Sequence, residues 1–307
     1  MPQPKNPPPL RAWLPPFLLV SAIWGCSFLF IKLGLEWLTP VGIAFARISI
    51  GAVVLLAISA ATRTRLPRNR TLLRHMVVVA LLLNVLPGLF FAWAETRIDS
   101  ALAGVINAGT PLFAALFTLV SFRDERLSRT QGLGLLAGFG GIVLLSGAWE
   151  AGASDPLGVA AAIGAVVCYG LAYPYIRHFV SHHGVAPLPL AATQVSIGAL
   201  IALPIALVAG TAHADPTPAA LAAMLALGTL GSGVAYIINF ALIRDVGPTA
   251  ATLVGYVMPI FSVLAGFVVL GETLALNQLV GGAIVVGGIA LSRRAAAAKG
   301  RSAARGR

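Results

Sequence analysis

Apolar runs long enough to cross a bilayer follow one another along almost the whole chain. A spanning helix rises 1.5 Å per residue through roughly 30 Å of hydrocarbon, so it needs about 20 such residues. Ten runs of that kind can be placed. They lie at roughly 13–34, 40–61, 73–93, 99–121 and 130–148, then 156–177, 187–209, 218–241, 249–270 and 275–293. Of the 307 residues, 58% are hydrophobic and 10% charged, against about 25% charged in a soluble domain. No soluble core hides that much apolar surface, so lipid is the solvent for most of the chain. The connections are short and leave no room for a separate soluble domain. The first run follows Lys5 and Arg11, as the core of a secretory leader would, but it is too long for one and has no small-residue cleavage site. It reads as the first spanning helix.

The formal net charge is +11. Its placement argues for membrane orientation and against a nucleic-acid partner. If both termini are cytoplasmic, Lys5, Arg11, the Arg63–Arg74 loop, Arg123, Arg126, Arg129, Arg177, Arg244 and the tail from Arg293 all fall inside. Only Lys32 and Arg97 then face outward, and Arg47 lies within a span. The acids Glu36, Glu95, Asp99, Glu150, Asp155, Asp215 and Glu272 lie outside or near that face. This is the positive-inside asymmetry of a cell-membrane protein. The basic loop and tail then hold orientation and touch anionic lipid. Cys26 and Cys168 sit in apolar segments without metal or disulfide spacing.

The chain repeats itself. Trp24-Gly25-Cys26-Ser27-Phe28 followed by Lys32 returns as Tyr169-Gly170-Leu171-Ala172-Tyr173 followed by Arg177, an offset of 145 (169 − 24). Pro40, Ala44, Arg47, Ser49, Ile50, Gly51 and Ala52 return 147 residues later (187 − 40) as Pro187, Ala191, Gln194, Ser196, Ile197, Gly198 and Ala199. Pro111 pairs with Pro259, and Glu125, Leu127 and Gln131 with Glu272, Leu274 and Gln278. Collinear matches of Gly, Pro, Gln and Glu across several segment pairs mark a duplication. Five spans per half is an odd number, so the halves insert with opposite orientation. The expected organisation is an all-α membrane protein of ten transmembrane helices arranged as two inverted five-helix repeats. They occupy residues 1–148 (with a tail at 1–12) and 149–293, and a basic cytoplasmic tail covers 294–307. Inverted repeats place a binding site at the midplane, and rocking about it gives alternating access.

In order and in duplication, the aromatic-Gly-x-x-aromatic start, Pro40 with Arg47, midspan Pro111 and the Glu125-Arg126-Leu127 that follows resemble the EamA family of the drug/metabolite transporter superfamily. The resemblance covers nearly the whole chain. It implies ten helices and secondary transport, often export of amino acids or other metabolites. Gln194, where the first half has Arg47, departs from the pattern. The resemblance names no substrate.

Candidate site residues follow from midspan polarity. Arg47 lies seven residues past Pro40, about 10 Å into the bilayer. It is either an anchor for an anionic group such as a carboxylate or a structural arginine bonded to carbonyls. Pro111 and Pro259 each free the carbonyl four residues earlier, on Asn107 and Gly255, and read as hinges or as static kinks. Trp24, Phe28, Tyr169 and Tyr173 read as pocket wall or core packing. Asn84, Asn107, Gln194, Tyr236 and Tyr256 complete the substrate-binding candidates, with helix-to-helix bonding as the plainer role. Asn84 and Ser232 are equivalent positions (232 − 84 = 148). The glycine-rich fifth and tenth spans favour close intramolecular packing, and the chain is expected as a monomer or homodimer. His178, His182 and His183 have metal-like spacing but no companions, and read as a solvated loop.

No carboxylate falls clearly at midspan, which argues against an obligatory buried relay and leaves facilitated export, exchange or coupling through an acid such as Glu95 open. No cofactor and no metal are expected. A membrane-embedded enzyme would need a nucleophile, zinc or acid motif, and none is present. A channel is the other alternative, although it does not require pseudo-symmetric halves. The working expectation is a secondary transporter exporting small amino-acid-like or amphipathic metabolites.

Overall fold

The structure, a computed structural model, describes residues 10–121, 129–146, 154–247, 251, 254–272, 275–277, 279–288 and 291. Helix starts follow from local chemistry. Thr39, Asp155 and Thr217 each accept a hydrogen bond from a backbone N–H of the first turn, and each is followed by Pro at the first helical position. That residue pair meets an orphan donor and presets φ for the helix. Asn69 caps its helix in the same way, through Thr71 N and Leu72 N.

The resulting helices are α1 (Leu10–Gly34), α2 (Pro40–Ala61), α3 (Arg70–Ala94), α4 (Ser100–Asn107), α5 (Thr110–Ser121) and α6 (Arg129–Ser146). They continue with α7 (Pro156–His183), α8 (Pro187–Ala209), α9 (Pro218–Val246), α10 (Val254–Ala265) and α11 (Leu279–Gly288). Among the described residues there is no strand, only an isolated antiparallel bridge between Leu38 and Ala212. Seven stretches are long and apolar enough to cross a membrane: α1, α2, α3, α4 with α5, α7, α8 and α9. The helices at α6, α10 and α11 are apolar but shorter or less hydrophobic. This is a multi-pass membrane protein. Its outer surface is correspondingly greasy, with Val208 90% and Leu207 77% exposed at one helix end.

Packing is reciprocal between the halves. The helix α1 lies along α10 while α7 lies along α5; α3 lies along α7 while α1 lies along α9; α2 and α8 lie along each other. Glycines allow these approaches. A Cβ on Gly25 would sit 2.6 Å from Phe261 Cβ and 2.7 Å from the Met258 carbonyl. On α6 and α11 the backbones meet directly, since a Cβ on Gly288 would fall 2.5 Å from the Gly134 carbonyl.

The end of the bundle where α1 finishes, opposite the N-terminus, is termed here the distal end. Its loops are tied together. Thr39 Oγ1 donates to Gly210 O, His213 N donates to Trp37 O, and Arg97 pairs with Asp155 at 2.9 Å.

Gly25→Ala is therefore expected to lower thermal stability in detergent. Overpacking of a close helix contact costs about 1–3 kcal/mol. Gly132→Ala, whose Cβ meets nothing within 4 Å, is the matched control and is expected to leave the melting temperature unchanged or higher.

Candidate functional site

A cavity with about 630 Å³ of empty space, the open solvent at its mouth included, lies among the middles of the helices. From the first half it is lined by Trp24, Ser27, Phe28 and Ile31 of α1, Arg47 of α2, Leu83 and Phe91 of α3, and Asn107 and Thr110 at the α4–α5 break. From the second half come Tyr169 and Tyr173 of α7, Tyr236 of α9, and Val254, Gly255 and Met258 of α10.

The cavity exists because the helices around it are irregular at this depth. Pro87 has no N–H, so the Leu83 carbonyl four residues earlier loses its helical donor. The preceding turn widens into a π-helical segment at Leu81–Val85. The Tyr236 hydroxyl, from the other half, donates to that Leu83 carbonyl. On α9 a longer π-helical segment spans Leu227–Val234. Here the Trp24 indole N–H donates to Gly231 O at 2.9 Å. Widened turns and prolines survive in a membrane only where such donors, or water in a cavity, satisfy the freed backbone groups. Pro111 has the same effect on α4–α5. The helix stops at Asn107 and restarts at Thr110, with Thr110 Oγ1 donating to Asn107 Oδ1 across the break. Pro259 lies inside the continuous helix α10.

Two polar pairs cross between the halves at equivalent places. Arg47 Nε donates to Ser232 Oγ at 3.1 Å. Gln194 Nε2 donates to Asn84 Oδ1 at 2.5 Å. Gln194 is the counterpart of Arg47 and Asn84 that of Ser232, so one interaction is made twice with different chemistry. Gly51 and Gly198, one turn beyond Arg47 and Gln194, sit against Ser232 and Asn84 and bring the helices together. The pairs differ in outlook. Arg47 lines the cavity, whereas Gln194 and Asn84 are buried behind it. Ser232 holds only Nε of Arg47, so the two terminal guanidinium nitrogens have no protein hydrogen bond among the described residues. Arg47 is the one charged group among the described lining residues.

The cavity thus gathers Trp24, Phe28, Arg47, Asn107, Tyr169, Tyr173 and Tyr236 of the candidates, and leaves Asn84 and Gln194 in the wall behind. The side chain of Tyr256 lies outside the described residues. Phe91, Ile31, Leu83 and Met258 were not singled out by sequence, because one apolar side chain among many in a span carries no distinguishing signal. Phe91 nonetheless packs edge-on to Phe28 at 5.1 Å between ring centres, and 6.1 Å from Tyr169.

A multi-pass bundle around a polar, aromatic cavity has the architecture of a membrane transporter. The chain belongs to the EamA-like transporter family, which matches residues 12–147 and again residues 156–294. It is 28% identical over 259 residues to the uncharacterized inner membrane transporter YedA of Escherichia coli (strain K12), covering 82% of this chain and 81% of that one. It is 25% identical over 280 residues to the uncharacterized transporter YdfC of Bacillus subtilis (strain 168), covering 88% and 87%. A protein of Streptantibioticus cattleyicolor named as a "probable terminal-alkyne amino-acid exporter" is 27% identical over 291 residues, covering 90% of this chain and 92% of that one. One solved crystal structure shares the fold, with a TM-score of 0.61 over 92% of this chain and 98% of its own at 22% identity.

Tyr236→Phe removes the donor to the Leu83 carbonyl and is expected to cost about 1–3 kcal/mol, the range for a buried polar group left unmet. Adding Pro87→Ala restores a backbone N–H one turn along and is expected to recover part of that loss. Thermal unfolding of the two single variants and the double variant measures the coupling.

Proposed function

We propose that the protein is a secondary transporter that moves small amphipathic carboxylates, amino-acid-like metabolites among them, out of the cell by alternating access. The observation that carries this is the cavity itself: one guanidinium whose terminal nitrogens have no hydrogen bond among the described residues, set in a box of aromatic rings, at the junction of two halves that each match the same family. A planar guanidinium suits bidentate recognition of a carboxylate. The rings of Trp24, Phe28, Phe91, Tyr169 and Tyr173 suit an apolar or aromatic body.

The finer architecture belongs to the same proposal. The repeats are taken as 1–148 and 149–293, with ten spans in inverted arrangement, supported by the reciprocal helix pairings and by the equivalence of the Arg47–Ser232 and Gln194–Asn84 bonds. Both termini are cytoplasmic in this reading, supported by the Arg and Lys asymmetry, so the distal end faces out. The relative named as an amino-acid exporter supports the substrate class. Asn84 and Gln194 then hold the two halves together beside the site through their mutual bond, while Pro111 and Pro259 mark where α4–α5 and α10 bend as the cavity changes its opening. A membrane enzyme has no support in the lining residues, which include no nucleophile–base pair.

Flux of a metabolite panel through proteoliposomes tests the reading. Saturable transport is expected, and unsaturable flux would refute a carrier. Arg47→Ala is expected to raise KM for carboxylate solutes by roughly tenfold or more, the scale of one lost charge-assisted hydrogen bond of about 1.5–3 kcal/mol, with a smaller change for neutral solutes. Equal effects on both classes would make Arg47 purely structural.

A further inference from the structure

Glu95 caps the C-terminal end of α3 and is 1% exposed. Neither carboxyl oxygen has a hydrogen-bond partner among the described residues. The nearby ammonium of Lys32 is already engaged: it donates to the main-chain carbonyls of Glu95 at 2.9 Å and Ile98 at 3.1 Å. Glu272 is engaged too. Its carboxylate accepts from Ser100 N, Ser100 Oγ and Ala101 N, and so caps α4 from the opposite half of the chain. Its neighbour Asp99, at the cap position, makes no such side-chain bond.

A bare carboxylate enclosed in this way is strongly unfavourable unless it is paired or protonated. The charged groups acting on it are Lys32 of α1, Glu272 after α10 and Arg47 of α2. Burial pushes its carboxyl well above the usual carboxylate range, with Lys32 and Arg47 pulling it back and Glu272 adding to the rise. Asp155, which caps α7, is taken up by Arg97, and Tyr169 of α7 lines the cavity; α8 carries no charged residue. Phe91, one turn before Glu95 and about 6 Å away along the helix axis, lines the cavity.

We propose that Glu95 is the binding site of a coupling proton, taken up from the outer solution as the distal end closes over the cavity and given up to the cytoplasmic side when the cavity next opens inward. The proposal rests on the carrier reading above. In the closed arrangement the carboxyl is neutral and buried. Inward opening lets water reach the carboxyl past Phe91 and carry its proton to the cytoplasmic side; the distal end then opens with the Lys32 and Glu272 contacts loosened and the carboxylate exposed to the outer solution beside Lys32. Low pH outside therefore drives reclosure, and high pH favours the open, hydrated state. Net movement is one proton inward for each solute outward, with the O–H bond of the carboxyl broken and remade once per cycle and no redox change.

Two measurements test it. Infrared spectra of the purified, membrane-reconstituted full chain are recorded across a pH titration. A protonated-carboxyl band at neutral pH is expected in the parent protein and absent in Glu95→Gln. A band that persists unchanged in the variant, or no band in the parent, overturns the proposal. This readout needs no solute, so it stands or falls apart from the transport reading. In proteoliposomes with the membrane potential clamped, phenylalanine is the probe. A one-unit pH gradient is expected to sustain about a tenfold phenylalanine ratio in the parent, the value of one pH unit at one proton per solute. E95Q is expected to sustain none, and Glu95→Asp to restore the response with a shifted pH midpoint. A gradient response retained in E95Q, or phenylalanine flux in the parent that ignores pH, refutes coupling at this site. No phenylalanine flux in the parent while the band behaves as expected counts against the proposed function alone. Elution of each variant as a single species separates these outcomes from misfolding.

Discussion

Two hydrogen bonds made deep in the bundle, Arg47 to Ser232 and Gln194 to Asn84, bind each half of this chain to the other. Each depends on a glycine one turn away, Gly51 or Gly198, that lets the helices approach. Each also depends on a widened turn, at Leu227–Val234 or Leu81–Val85, that carries the acceptor. Inside a bilayer such groups cannot be left to solvent. The same widened turns leave carbonyls that Trp24 and Tyr236 answer from across the junction. The cavity is the space these exchanges hold open.

The duplication has been used asymmetrically. Where one half keeps a neutral amide pair sealed in the wall, the other has an arginine with spare donors facing the cavity. A single charge in an aromatic box gives direction to a ligand without requiring a second ionic partner. At the distal end the asymmetry recurs. Glu272 from the second half caps α4 of the first, a bond between halves, whereas Lys32 closes α3 within the first half.

Much of this was legible before any coordinates. The equivalence of Arg47 with Gln194 and of Asn84 with Ser232 followed from collinear spacing, and so did the choice of Trp24 and Tyr169, which line the cavity, and of Pro111, which follows the helix break. What the spacing could not convey was partner choice. Each pair lies 110 or more residues apart, and which faces meet depends on helix rotation. Widened turns shift that rotation partway along α3 and α9, so simple helical periodicity misplaces the residues beyond them. Asn84 and Gln194 were candidates because they are polar at midspan; they bond each other and are buried outside the cavity lining. Phe91 and Met258 were invisible for a different reason, since apolar side chains in apolar spans differ only by where they point. Glu95 looked peripheral because it follows the third apolar run, yet the α3–α4 turn folds inward and buries it.

The central claim is that one cavity, held between the two halves, opens to one side of the membrane at a time. Thr110 lines it at the α4–α5 break. A Thr110→Cys variant with Cys26 and Cys168 replaced by serine can be labelled with a membrane-impermeant thiol reagent in vesicles of each orientation. The account predicts labelling from both sides, with transported solute added on one side raising the rate from one face as it lowers the rate from the other. Equal, solute-independent labelling from both faces would describe a continuous pore and contradict it.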